Sequence, residues 1–149
     1  MRAERVDIVE KWNQTTEKIM TERFGKDSLI ALATEENGVP HVRTVNAYYH
    51  DRSFYVITYA LSDKMKQIAK NPVVAVSGDW FTAHGTAVGL GYFGKAKNAA
   101  MARKLRTVFS EWIDNGHNDF NDENTCILQI RLRDGVLFSH GARYEIDFT

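Results

Sequence analysis

Residues 28–59, SLIALATEENGVPHVRTVNAYYHDRSFYVITY, decide the fold. Ser28 to Thr34 is a short, nearly continuous apolar run, the pattern of a buried strand. Glu36-Asn37-Gly38 follows, and Asn-Gly readily takes the positive φ angles that a tight hairpin demands. The chain returns as His41 to His50, turns at Asp51-Arg52 and continues as Ser53 to Tyr59. Three strands joined by such short links predict an antiparallel meander.

Upstream, Val6, Val9, Trp12, Thr16, Ile19, Met20 and Phe24 recur at helical spacing, and Gly25 supplies a stop. One amphipathic helix is expected there. Downstream, Ser62 or Asp63 can cap a short helix whose buried stripe is Met65, Ile68 and Ala69. Asn71-Pro72 ends it, because proline disfavours helical geometry in the preceding residue. Val73 to Ser77 reads as a strand and Thr82 to Phe93 as a longer one interrupted by glycines. Asn98 is expected to cap a second long helix, with Met101, Leu105, Val108, Phe109 and Trp112 on one face and Gly116 closing it. Asp114 to Asn124 is a polar loop, and strands follow over Thr125 to Arg133 and Val136 to Phe148, the latter broken near Gly141. There are no repeats or linkers, so residues 1–149 read as a single domain. The pattern predicts a β-rich α+β fold in which about six short strands close a small barrel flanked by helices.

Composition narrows the function. The chain is 44% hydrophobic and 26% charged, enough apolar material for a core. Lys+Arg and Asp+Glu are both 19, so the electrostatic footprint of a nucleic-acid partner is missing. Met1-Arg2-Ala3-Glu4-Arg5 leads into no apolar stretch of a secretory signal, and no run approaches the roughly 20 residues that span a bilayer. The single cysteine, Cys126, suits a reducing compartment and reads as a small buried hydrophobe. A cytoplasmic protein is expected.

Lys64 and Lys66 lie in the first turn of the Asp63 helix, where the helix dipole already carries partial positive charge. Free N–H groups, a dipole and two lysines describe an anion site; the competing reading is two solvated surface lysines. Arg43 shares a strand face with Val45, Ala47 and Tyr49, and a guanidinium on an apolar face needs a partner. That partner is either a phosphate or an internal carboxylate such as Asp63 or a glutamate.

From Ile30 to Ser77, Arg43-Thr44-Val45, Val56-Ile57-Thr58, Ser62-Asp63-Lys64 and Asn71-Pro72 occur in that order. The set resembles the pyridoxamine 5′-phosphate oxidase-like FMN-binding split-barrel superfamily, and more narrowly its general-stress-protein branch. The resemblance implies a split β-barrel that holds FMN at a homodimer interface. It implies that Arg43 and Lys64, with Ser62, Asp63 and Thr58, bind the FMN phosphate. Thr44, Val45 and the backbone around Ile57 would run along the flavin ring, and Thr86 would face it. Trp80 and His84 would shape a substrate pocket; ordinary packing is the alternative for both. The arginine–x–histidine pair and tryptophan of the true oxidases have no counterpart, since Arg143-Tyr144-Glu145 stands there. Pyridoxamine phosphate oxidation is therefore not expected. The implied function is a flavin-dependent oxidoreductase acting on a small molecule. A non-catalytic flavin-binding stress protein, or a barrel that holds haem or the deazaflavin F420, is the alternative.

Other motifs carry less. Gly89-Leu90-Gly91-Tyr92-Phe93-Gly94 spells a dinucleotide fingerprint, but the meander lacks βαβ units and Glu111 falls inside a predicted helix. Strand glycines more often mark bends. The loop Asn118-Asp119-Phe120-Asn121-Asp122-Glu123 lacks the spacing of a calcium loop, and His41, His50, His84, His117 and His140 lack metal-ligand spacing.

Overall fold

A computed structural model describes residues 6–149. The first five residues, used above to judge a signal segment, lie outside it. The strands are β1 (Val6–Lys11), β2 (Ser28–Glu36), β3 (Val39–His50), β4 (Ser53–Tyr59), β5 (Val73–Gly78), β6 (Phe81–Tyr92), β7 (Thr125–Ser139) and β8 (Ala142–Asp147). The helices are α1 (Gln14–Phe24), α2 (Asp63–Lys70) and α3 (Ala99–Val108), the last preceded by a short 3-10 turn at Ala96–Asn98. The sheet runs β1-β8-β7-β4-β3-β2-β5-β6, and a further β6–β7 pairing closes six of these strands into an antiparallel barrel. The expected barrel is therefore present.

The meander forms as its turns dictate. Asn37 and Gly38 both take positive φ (52° and 82°), and so do Asp51 and Arg52 (41° and 63°). The pairing is uneven, and that creates the split. β3 pairs with β2 from Val39 to Ala47, yet meets β4 only at Tyr48, Tyr49 and His50. β4 instead spends its whole length on β7. The β3 segment bearing Arg43 is thus free of β4.

Two cores flank the sheet. Inside the barrel, Phe24, Phe54 and Phe81 pack ring against ring, with Met20, Leu32, Leu128, Ile130 and Leu137 around them. Outside β4 and β7, α3 covers a second cluster of Tyr48, Phe93, Leu105, Phe109, Ile113 and Ile127. A polar knot ties α1 to the barrel: Tyr49 Oη (2.6 Å) and Trp12 Nε1 (2.7 Å) both donate to the Glu17 carboxylate.

Four expectations are corrected. Residues 6–24 are not one helix, because the Asn13 and Thr16 side chains form a reciprocal cap that starts α1 there. The preceding Val6–Lys11 segment pairs in parallel with β8, a partner that helical spacing cannot foresee. The second long helix is shorter than predicted. It ends at Val108; Phe109 donates its N–H back to Leu105 O, and Gly116 (φ 92°) sits beyond it in the loop. Asn98 makes no side-chain cap, since its Nδ2 donates to Leu90 O and Tyr92 O, both at 2.9 Å.

In the third correction, β7 runs unbroken through Asp134-Gly135. An alanine Cβ at Gly135 would lie 3.0 Å from the Phe81 ring and 3.1 Å from that of Phe148, so this glycine serves close packing. The break expected near Gly141 is present, as a turn at His140-Gly141 with both residues at positive φ. In the fourth, Ala69 is exposed, and the buried residues of α2 are Gln67 and Ile68.

Candidate functional site

The polar groups that the sequence singles out gather where α2 meets the free part of β3. Ser62 caps α2, its Oγ accepting from Met65 N. This sets Lys64 in the first turn, and the Lys64 ammonium donates to the hydroxyl of Thr58, a buried residue at the end of β4. Arg43 projects from β3 toward the same helix. Its Nη1 donates to Thr34 Oγ1 (2.7 Å) and Leu32 O (3.3 Å), and its Nη2 to Gln67 Oε1 (3.2 Å).

The electrostatics of this end are unusual. Both cations are partly buried, and among the described residues neither has a carboxylate within ion-pair distance. Loss of solvent holds the Lys64 ammonium below its ordinary value of 10.5, and the Arg43 charge adds to the effect. Burial likewise works against the Arg43 charge, and exposed Asp63 only partly offsets that. The internal salt bridge that sequence left open for Arg43 is thus not formed. A guanidinium carries five N–H donors, and three of those on Arg43 meet protein acceptors. The other two meet no acceptor among the described residues. Two cations thus converge beside a helix start and bond only to neutral protein groups.

The remaining named residues distribute differently. Val45 shares the inner face with Arg43 and packs on the barrel core. Ile57 lies on the other face of β4 and packs into the cluster under α3. Thr44 faces outward, opposite Ala31. Thr86, half-buried on β6, pairs with Val73 and Arg131. His84 and Trp80 are exposed on the outer surface: His84 Nδ1 lies 2.9 Å from Asp134 Oδ1, and Trp80 packs edge-on against Phe138. Trp80 holds a φ of 51°, and Arg23 ties its hairpin by donating to Asp79 O, Trp80 O and Phe138 O. His84 and Asp134 border a cleft of about 400 Å³ that Ala31, Ala33 and Ala75 also line. The structure therefore joins Arg43, Thr58, Ser62 and Lys64 into one cluster, with Asp63 beside it. It sets Thr44, Trp80, His84 and Thr86 on the barrel exterior.

Two members of the cluster escape sequence reading. Thr34 looks like one more residue of a buried strand, and Gln67 interrupts the expected apolar stripe of α2. The available signal was spacing, since Gln67 lies three residues past Lys64 and therefore near it on the helix surface. Cys126 is a neighbour as well; it is buried on β7 opposite Thr58, and burial raises its thiol while Lys64 opposes that shift.

The model of one protein family, described as pyridoxamine 5′-phosphate oxidase, matches residues 16–135. The chain belongs to that family. No curated protein matches it. Among solved structures, it is similar to a FAD-binding protein from Mesorhizobium loti at 15% identity, covering 83% of this chain and 92% of that one, with a TM-score of 0.64. General Stress Protein 26 from Bacillus anthracis is 19% identical, with 82% and 92% covered and a TM-score of 0.63. An F420 reductase is 18% identical, with 77% and 94% covered and a TM-score of 0.60. The fold is thus the split barrel of this family. Among the described residues no helix is long and apolar enough to cross a membrane, and no group of three or more His, Cys, Asp or Glu could hold a metal ion.

Proposed function

We propose that this chain binds FMN through a phosphate clamp of Arg43 and Lys64, and serves as a flavin-dependent oxidoreductase for a small molecule. The observation that carries the reading is the pair of partly buried cations without a carboxylate partner. Desolvated like charges oppose folding unless something anionic compensates them, and a phosphate near its dianionic form does so. Arg43 offers two spare N–H groups, Lys64 a point charge, and Ser62 begins the helix whose N–H groups lie beside them. When bound, the flavin supplies hydride or electron transfer, and the chain supplies binding, orientation and the electrostatic field around it. Arg43 and Lys64 hold the phosphate end, Thr58 fixes the Lys64 ammonium, and the free segment of β3 around Val45 lies along the route toward the ring.

The same reading calls for a homodimer in the cytoplasm. The outer face is built largely of small, uncharged side chains. Val42, Ala33, Ala75 and His84 form one transverse row, and Thr44, Ala31, Ser77 and Thr82 form the next. Val42 is 70% exposed and Leu29, on the same face, 64%. A second copy covering this face would remove that surface from water and bring Trp80 and His84 toward a shared pocket. The likeness to an F420 reductase favours one second reading, in which a deazaflavin takes the place of FMN.

Equilibrium titration of the purified apoprotein with FMN, read by quenching of flavin fluorescence, tests the proposal. Saturable binding with riboflavin bound more weakly is expected, together with flavin absorption bands in the loaded protein. A protein that ignored FMN, or that was isolated with a haem or deazaflavin spectrum, would sink it. Pyridoxamine phosphate is expected to be a poor substrate, checked by assaying oxygen-dependent formation of pyridoxal phosphate.

A further inference from the structure

We propose that Gln67 is the specificity-determining residue of the anion site: it positions Arg43 through a neutral acceptor, so that the site keeps its positive charge for a phosphate. The inference rests on the phosphate-clamp reading and adds to it a residue that is neither cationic nor at the helix start.

Gln67 is 5% exposed, and both its amide oxygen and its amide nitrogen have partners. Its Oε1 accepts from Arg43 Nη2 (3.2 Å) and from Thr34 Oγ1 (2.5 Å), while its Nε2 donates to Glu36 Oε2 (3.4 Å). Thr34 Oγ1 in turn accepts from Arg43 Nη1 (2.7 Å). Two acceptors that are bonded to each other therefore hold the two ends of the guanidinium fork, fixing its plane. Glu36, the carboxylate that Gln67 contacts, lies on the far side of the amide from Arg43 and 3.6 Å from Lys70. Glutamate has the shape of glutamine, and at position 67 it would hold Arg43 equally well. It would also place a full negative charge where the phosphate's charge must go. Glutamine gives the same geometry without that charge. The arrangement explains how a partly buried arginine can be both rigidly held and still electrostatically available.

The decisive variant is the double exchange Glu36→Gln/Gln67→Glu. It keeps the net charge and an amide–carboxylate hydrogen bond between the two positions, but moves the negative charge from the rim onto Arg43. FMN affinity is expected to fall by about tenfold or more, with riboflavin affinity unchanged, since a charge-assisted bond to phosphate is replaced by an internal ion pair. Gln67→Leu removes the acceptor and adds no charge; FMN binding is expected to weaken severalfold, again without effect on riboflavin. Gln67→Leu also carries the test if the exchanged protein does not fold. A merely structural glutamine would move both ligands together, or neither.

Arg43→Ala separates this inference from the reading beneath it. If Arg43→Ala loses FMN affinity while the exchange and Gln67→Leu bind like the parent, the role of Gln67 is overturned and the clamp stands. If Arg43→Ala also binds like the parent, both fall. Should the parent take no flavin, thermal unfolding with inorganic phosphate decides the matter. Phosphate stabilisation present in the parent and lost in the exchange supports the role of Gln67, and no stabilisation in either overturns it.

Discussion

Two charged pairs on this barrel make a useful contrast. His84 and Asp134 lie 2.9 Å apart, both largely in water, and are opposite in sign only when the imidazole is protonated. Arg43 and Lys64 are alike in sign, partly out of water, and bonded only to neutral groups. The first pair looks more like a functional constellation, because a histidine beside an aspartate is a familiar arrangement. The energetics point the other way. An exposed ion pair gains little over its hydrated parts and needs nothing further. Two desolvated cations are left in deficit, and a ligand can make that deficit good. Unmet cost, more than proximity of charge, is what singles out the Arg43–Lys64 end for the proposed clamp.

The largest expected effect sharpens this contrast at its cationic end. Each phosphate contact is worth about 1.5–3 kcal/mol, so Arg43→Ala or Lys64→Ala alone is expected to weaken FMN roughly ten- to a hundredfold. The double variant Arg43→Ala/Lys64→Ala is expected to lose about a hundred- to ten-thousandfold, with riboflavin nearly unaffected; the readout is fluorescence titration with both ligands. Lys66→Ala, exposed on the same helix, is the control and is expected to bind like the parent.

A second test moves to the outer face. Ala75→Arg sets an unpartnered charge in the middle of the small-residue row, beside Ala33 and His84. If that face is the subunit interface, burying this charge costs several kcal/mol, and association is expected to weaken by about a hundredfold or more. Light scattering should then report the 17.0 kDa chain mass where the parent gives twice that value. An unchanged mass would place the interface elsewhere.

The pH dependence gives a third, smaller effect whose sign follows from the deficit itself. Lys64 titrates below its ordinary 10.5 in the free protein, and a bound phosphate would favour its charged form. Binding therefore takes up a proton in the alkaline window between the free and the bound value, and FMN affinity should decline as pH rises through it. The same shift means that the unfolded chain binds more protons there, so stability of the free protein should rise with pH in that window. The two quantities move in opposite directions, and titration and thermal melts between neutral pH and pH 10.5 can check both. Lys64→Ala should abolish the opposition.

The smallest effect belongs to the exposed pair. His84→Ala is expected to change stability by under about 1 kcal/mol and FMN affinity by less than about threefold, measured by thermal melts and the same titration. A larger loss of FMN would mean that His84 reaches the flavin and that the contrast is wrong.

How much could be read in advance depended on range. The Asn37-Gly38 and Asp51-Arg52 turns act between neighbours, so the meander and a helix start at Ser62 or Asp63 were legible. Arg43, Thr58 and Lys64 could be picked out by residue type and order. The boundary at Asn13 was not, because Val6 to Phe24 keeps helical spacing across it. Neither was the length of β7, because Asp134-Gly135 looks like a turn until Phe81 and Phe148 arrive beside it. Gln67 was hidden for the same reason, since only the approach of β2 and β3 to α2 converts an awkward helix residue into the holder of Arg43.

Sequence by itself determined the antiparallel meander, the balance of charge and the identity of the two cations, since these rest on residue type and on separations of a few positions. Tertiary structure alone decided that the cations converge without a carboxylate partner among the described residues, that Trp80 and His84 lie on the barrel exterior, and that β3 leaves β4 after three paired residues. Desolvation and pairing are properties of what lies within a few ångströms in space. Residues separated by dozens of positions in the chain meet only after the barrel has closed.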